Sequence, residues 1–325
     1  MHTADDLKSG IMQSSSPQTQ PRTQALRSDS PHVKIAYFIM IHHKPEAFKE
    51  MFQKIYTRDQ FYLIHIDRKA KAATTEEIQL FLIQFPNVYI LESMNIIQGG
   101  FSMIQAELNA MEFLLNVSPE WDYFINLSGE DAPLKSQNII RKFLGANKGR
   151  NYLFYYDQKF YRPDTLKRIQ NHFTELSYKI SSLIYKREFM RGVTPYIGGK
   201  WFIFTRETCV FITNNIRVLD FENYYLHTLL PAESFFQTVL MNTDFNDVIV
   251  NDDKRAVIET FFFNKAQNIN QFIDTLKSGN SLFIRKINNK TDESILKYIS
   301  ESYDLALPNI DEVERELKIN NRQSN

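Results

Sequence analysis

Between residues 33 and 156 the chain repeats one alternation: a short unbroken apolar run, then a segment with apolar residues at helical spacing. The apolar runs are VKIAYFIMI (33–41), FYLIHID (61–67), NVYIL (87–91), DYFINLSGED (122–131) and YLFYY (152–156). The segments between them place Phe48, Phe52 and Ile55, or Ile104, Leu108, Met111 and Leu115, on one helical face. A strand apolar at every position is covered on both faces. Strands of that kind alternating with amphipathic helices predict an α/β fold: a central, mostly parallel twisted sheet flanked by helices. In such a sheet ligands bind beyond the carboxyl ends of the strands. Asp67 and the Ser128-Gly129-Glu130-Asp131 turn fall there.

Residues 157–197 break the alternation. They are polar, basic and Tyr-rich, and predict an insertion over the sheet edge that helps to choose the substrate. GGKWFIFTRETCVFI (198–212) resumes as strand and helix, DVIVND (247–252) is a short strand, and NINQFIDTLKSG (268–279) is a helix ended by Gly279. SLFIRKI (281–287) is a strand carrying Arg285 and Lys286. Residues 1–31 hold Ser, Gln, Thr and Pro with little apolar content, and predict a disordered extension. A single domain over 32–305 and a polar tail over 306–325 complete the expected organisation. Ser102 with Gln105 reads as a capping box, and Ser136 as an N-cap.

Composition removes several functions. Lys plus Arg (38) balances Asp plus Glu (38), without the basic surplus that phosphate-backbone binding demands, so nucleic acid is not an expected partner. Cys209 is the single cysteine, which excludes an intrachain disulfide and a Cys-based zinc site and fits a reducing, cytoplasmic home. It lies in an apolar helical pattern and reads as a buried, inert thiol. No apolar run approaches the roughly 20 residues of a membrane span, and no signal-peptide core is present.

The candidate site residues carry two readings each. In LLPAESFFQTVLM (229–241), Pro231 marks a helix start and Glu233 lies just inside it. A carboxylate there is favoured by the helix dipole alone. The same position suits a general base. Asp67 and Asp131 either cap turns or contact a nucleotide. The Asp-any-Asp pair of metal-dependent sugar-nucleotide enzymes is absent from the strand ends; NDDK (251–254) reads as a structural turn. Of Arg285 and Lys286, alternation puts one on each face; one is solvated, and the other pairs with an acid or binds phosphate. His42, His43 and His65 lack partners at metal-ligand spacing. GxxxxGK[ST] and GxGxxG are both missing.

Several segments together resemble the core-2/I-branching β-1,6-N-acetylglucosaminyltransferase family, which includes peptide O-xylosyltransferases and plant glucuronosyltransferases. IAYFIMIHHKPEAFKEMFQKIYTRDQFYLIHIDRKA, GGFSMIQAELNAMEFLL, WDYFINLSGEDAPLKS, GGKWFIFTRE, PAESFFQTVLMNTDF and SLFIRKI run in the family's order over residues 33–290. WDYFINLSGEDAPLKS is the most specific. The resemblance implies a GT-A-like fold and an inverting, metal-independent transfer from a nucleotide sugar, UDP-GlcNAc first, to a glycan hydroxyl. It implies Glu233 as base and Lys286 on the donor diphosphate, with Lys254 or Arg255 as a second cation. Asp67, Asp131 and Lys135 would lie near the donor and Trp201 near the acceptor. No cofactor and no metal are expected. The chain departs from the pattern at Gln98, where Trp is frequent, and at Ala232, where Asp is usual. Its single cysteine contrasts with disulfide-rich animal members. These departures imply a bacterial, cytoplasmic enzyme of surface polysaccharide or lipooligosaccharide synthesis, peripheral at the inner membrane face if its acceptor is lipid-linked. Other donors (UDP-xylose, UDP-glucuronate) and a catalytically silent sugar- or nucleotide-binding module are the alternatives.

Overall fold

The computed structural model describes residues 33–258, 267–287, 291 and 293–307. The expectations for residues 1–31 and 308–325 lie outside the described residues. The strands are β1 (Ile35–Ile41), β2 (Phe61–Ile66), β3 (Val88–Leu91), β4 (Tyr123–Ser128), β5 (Asp131–Pro133) and β6 (Asn151–Asp157). They continue as β7 (Asn171–Glu175), β8 (Ile180–Lys186), β9 (Tyr196–Thr205), β10 (Ile249–Val250), β11 (Arg255–Val257) and β12 (Phe283–Arg285). The main sheet has the order β10-β6-β9-β4-β1-β2-β3. Neighbours are parallel except β9, which runs antiparallel to both β4 and β6. A smaller sheet, β11-β12-β5, stands beside it, and β7 and β8 form a hairpin. The mixed α/β architecture, with its large, mostly parallel sheet between helices, is a GT-A-like fold.

The unbroken apolar runs have a simple cause. Along β1, Ala36 and Phe38 enter one core while Ile35, Tyr37 and Ile39 enter another on the opposite face. The first core is closed by helices Ser102–Val117, Arg206–Asn214 and Phe235–Met241, the second by Pro45–Ile55, Ala72–Leu82 and Gln137–Ala146. The runs of β1, β2 and β4, in the middle of the sheet, therefore have no polar face to show. Cys209 is buried in the first core, and desolvation pushes its thiol up.

Three local expectations are corrected. The strand of DYFINLSGED does end in its Gly turn, at Ser128, but Asp131, expected in that turn, opens β5 in the smaller sheet. Ser102 and Gln105 form no capping box. Ser102 Oγ instead accepts from Ile97 N–H (2.8 Å), and Gln105 donates to Asn109 (2.9 Å). The cap comes from afar: the Glu175 carboxylate, at the end of β7, accepts the Ser102 backbone N–H (3.0 Å). Ser136 does sit at the N-cap, but its hydroxyl makes no cap bond.

The hairpin β7–β8 belongs to the 157–197 segment and is tied down at several points. Besides the Glu175 cap, Asn95 donates to Ser177 O (2.6 Å), and Phe173 N–H donates to His227 O (3.0 Å). Gly100 follows from the same contact, because a Cβ there would lie 2.2 Å from the Glu175 carboxylate. Gly99 holds a positive φ of 85° that favours glycine.

Candidate active site

In the sheet order, β1 continues to β2 and β3 on one side while β4 lies on the other. The chain thus reverses direction of progress between β1 and β4, and the carboxyl ends of these strands frame a crevice. A cleft of about 430 Å³ opens there. Met40 and Ile41 at the end of β1, Asp67 after β2 and Ser128 at the end of β4 line it. Its far wall is Lys200 and Trp201 of β9 with Arg285 and Lys286 of β12.

The cleft is rich in cations. Arg285 is buried, pairs with Asp131 (3.2 Å) and stacks 4.1 Å over the Trp201 ring. Asp131 also accepts the Ser128 N–H (2.5 Å) and hydroxyl (2.9 Å), so this buried carboxylate ties the end of β4 to β12. Lys286 lies 3.9 Å from Glu130. Glu130 also meets Lys44 and His43. Burial alone would raise the Glu130 carboxyl, but the Lys44 contact and the charges of Lys44, Lys286 and His43 bring it below the ordinary value. Asp67 makes a turn of its own, accepting the Lys69 N–H (2.9 Å), with the Lys69 ammonium 3.8 Å away.

The histidines do not form a metal cage. His65 Nε2 accepts the Met94 N–H (2.9 Å), which fixes its tautomer, and burial holds it below the usual histidine range. His42 is lowered too, by burial and then by the neighbouring His43. Among the described residues no group of three or more His, Cys, Asp or Glu is arranged to hold a metal ion.

Glu233 lines a second cleft, of about 600 Å³. The helix-cap reading fails there. Pro231–Glu233 is a single 3-10 turn, Ser234 leaves helical geometry (φ −145°), and the α-helix begins only at Phe235. The Glu233 carboxylate is instead held by Arg168 (Nη1 to Oε2, 2.7 Å), from the 157–197 segment. Leu230 has a positive φ of 53° and donates its N–H to Gly99 O (2.8 Å), which fixes the turn against the start of the helix Ser102–Val117. Phe154, Tyr156, Arg162, Asp252 and Asp253 complete the pocket. Aromatic faces beside carboxylates can stack a sugar ring and accept its hydroxyls. Successive residues of β9 line the two clefts, Gly199 the second and Lys200 the first.

The structure brings Asp67, Trp201 and Lys286 together in the first cleft, and Glu233 and Arg255 in the second. Trp201, expected on the acceptor side, stands in the cleft opposite to Glu233. Asp131 supports the first cleft from behind. Lys135 and Lys254 line neither cleft. Lys135 donates to Ser302 O (2.9 Å), and burial lowers its ammonium. Lys254 is buried, pairs with Asp252 (2.6 Å) and sits 5.2 Å from the Phe143 and Tyr152 rings. Arg255 spends its guanidinium on Asn126 O (2.9 Å) and the Phe283 ring (4.4 Å). Neither lines the first cleft, which Arg285 does, and the sequence flagged Arg285 only as the neighbour of Lys286. Arg168 carried no local signal, because its partner is 65 residues away.

A family model described as Core-2/I-Branching enzyme matches residues 35–258. The chain belongs to that family. Its relatives include xylosyltransferase of Ciona intestinalis (29% identical over 73% of this chain and 28% of that protein) and xylosyltransferase 1 of Rattus norvegicus (31%, 69% and 28%). Xylosyltransferase 2 of Homo sapiens is 29% identical over 70% of this chain and 27% of its own length. The match therefore spans less than a third of these curated relatives. The family segment holds Asp67, Asp131, Trp201 and Glu233 and stops before Arg285 and Lys286. Among the described residues no helix is long and apolar enough to cross a membrane.

Proposed function

We propose that this protein transfers a sugar from a nucleotide-sugar donor to a hydroxyl of a glycan acceptor, with inversion and without a metal ion. One observation carries the reading: successive residues of β9 line a cation-walled cleft at the strand-order reversal and a pocket presenting Glu233 among aromatics and carboxylates. The donor diphosphate lies against Arg285 and Lys286. The acceptor oxygen attacks the anomeric carbon from the Glu233 side. Its proton passes to the Glu233 carboxylate, and the bond between sugar and diphosphate breaks with its electron pair leaving on the phosphate oxygen. The cations stabilise that developing charge in a largely desolvated site. One displacement inverts the configuration.

UDP-GlcNAc is the donor that the resemblance of the sequence motifs favours. UDP-xylose is the second reading, supported by the names of the relatives. A lipid-linked or surface-polysaccharide acceptor in a bacterial cytoplasm remains part of the proposal and rests on sequence features only.

Calorimetry with a nucleotide-sugar panel in EDTA, on the parent and Lys286→Ala, tests the donor half. One UDP-sugar should bind, and the variant should weaken it about tenfold or more. Glu233→Gln should lower kcat by roughly 10²–10⁴-fold and leave donor affinity within about twofold. Undiminished transfer by Glu233→Gln would remove Glu233 as the base. Absence of binding by every donor, with or without divalent metal, would favour a silent binding module.

A further inference from the structure

Lys200 stands on β9 between Gly199, in the Glu233 cleft, and Trp201, in the donor cleft. Its side chain is half-buried and opens on the donor cleft, with the ammonium 5.1 Å from the centre of the Trp201 ring. The other cations of the cleft have carboxylate partners: Lys69 has Asp67, Arg285 has Asp131, and Lys286 has Glu130. Among the described residues no ion pair includes Lys200.

The acid that acts on it from the helix Ser102–Val117 does not neutralise it. Glu107 is buried, and desolvation pushes its carboxyl up to about 8, so it keeps its proton at neutral pH. Its Oε1 is already occupied by Asn126 Nδ2 (2.8 Å). Asp131 attracts Lys200 but is bound to Arg285, and Arg285 and Lys286 repel it. Desolvation, then Arg285, hold the ammonium below the ordinary lysine range. The strand beneath is rigid: Asn126 Nδ2 donates to Lys200 O (2.9 Å) and Asn126 Oδ1 accepts the Phe202 N–H (2.9 Å). A partly desolvated cation held on a fixed strand without a paired acid favours an anion beside it. Lys200 is also the residue of β9 next to Gly199, which lines the Glu233 cleft.

We propose that Lys200 is an anion-contacting residue of the donor site, taking a charged oxygen of the donor beside the scissile bond. The inference rests on the donor reading of this cleft. Two groups share that chemistry: the diphosphate, and a carboxylate borne by the transferred sugar.

The test is calorimetry of the parent, Lys200→Met and Glu107→Gln with UDP, UDP-glucose and UDP-glucuronate. Lys200→Met should weaken binding roughly tenfold or more, the loss of one charge-assisted contact. Equal weakening of all three ligands assigns the contact to the diphosphate. Weakening confined to UDP-glucuronate assigns it to the sugar carboxylate. Glu107→Gln keeps the acceptor for Asn126 and should bind all three as the parent does. Binding of every ligand by Lys200→Met within twofold of the parent overturns the inference while leaving the donor reading intact. So does a Glu107→Gln variant that loses as much as Lys200→Met, since Lys200 would then be the partner of an ionised Glu107. A parent that binds none of the three removes the donor reading and the inference with it. If Lys200→Met does not fold, the parent carries the same test through reductive methylation read by mass spectrometry. UDP or UDP-glucuronate should protect Lys200; unchanged modification under saturating ligand overturns the proposal.

Discussion

Glu233 lines the second cleft, Glu107 acts on Lys200 of the first from behind its wall, and their surroundings differ. Glu233 is partly exposed and gripped by Arg168, and that grip orients it. Arg168→Met should lower kcat about tenfold or more, as misplacing a reacting group does, with donor affinity unchanged and partial rescue by Arg168→Lys. Stability should move by under about 1 kcal/mol, because the pair is partly solvated. A purely structural arginine would move melting temperature and leave kcat alone. Glu107 is governed by burial. Its folded value of about 8 lies above the unfolded value of about 4.3. The folded chain then holds more protons between those values, so its contribution is complete below about 4.3 and falls as pH rises towards about 8. Glu107→Gln lacks this titration. Its stability relative to the parent should rise by on the order of 1 kcal/mol per pH unit between pH of about 5 and about 8, read by urea denaturation. Glu233, Asp67, Trp201 and Lys286 were legible as candidates because each sits in a short, ordered motif. Arg285 was legible only as the neighbour of Lys286, and Arg168 and Lys200 not at all, because their meaning lies in partners that only the folded chain brings near.

At the scale of elements, helices and strands were legible where one period dominates, as in β1 or the helix Pro45–Ile55. Their ends were less so, because a terminus is satisfied by whatever the fold delivers to it. The helix Ser102–Val117 shows this: the local Ser and Gln suggested a self-contained cap, whereas the bond comes from Glu175 on the hairpin. Gly100 and Glu175 are thereby one device. Glu175→Ala should cost about 0.5–2 kcal/mol, the usual value of an N-cap. Gly100→Ala should cost a similar amount, since its methyl displaces the carboxylate end of a flexible side chain. The double variant should cost little more than either single one. Full additivity in a double-mutant cycle would show that the two residues act separately.

For the whole molecule, neutral charge balance hides a strong local asymmetry. The 38 basic and 38 acidic residues cancel over the chain, yet Lys69, Lys200, Arg285 and Lys286 converge on one cleft whose acids, Asp67 and Glu130, are already paired. Composition could exclude a broadly basic surface, but not show this focus, because the four cations come from three separate parts of the sequence and meet only when β12 packs beside β5 and β9 crosses β4. Low-dielectric walls around such a cluster focus its field on a bound anion. In the proposed transfer these cations take, at the departing diphosphate, the place of a divalent ion. Transfer should therefore proceed at the same rate in EDTA as with added magnesium or manganese. Donor KM should climb with ionic strength more steeply than acceptor KM, since the acceptor pocket binds neutral hydroxyls. A rate that collapses in EDTA and returns with one divalent ion would mean that the cation cluster is insufficient by itself, and that Asp67 or Glu130 exchanges its lysine partner for a metal during turnover.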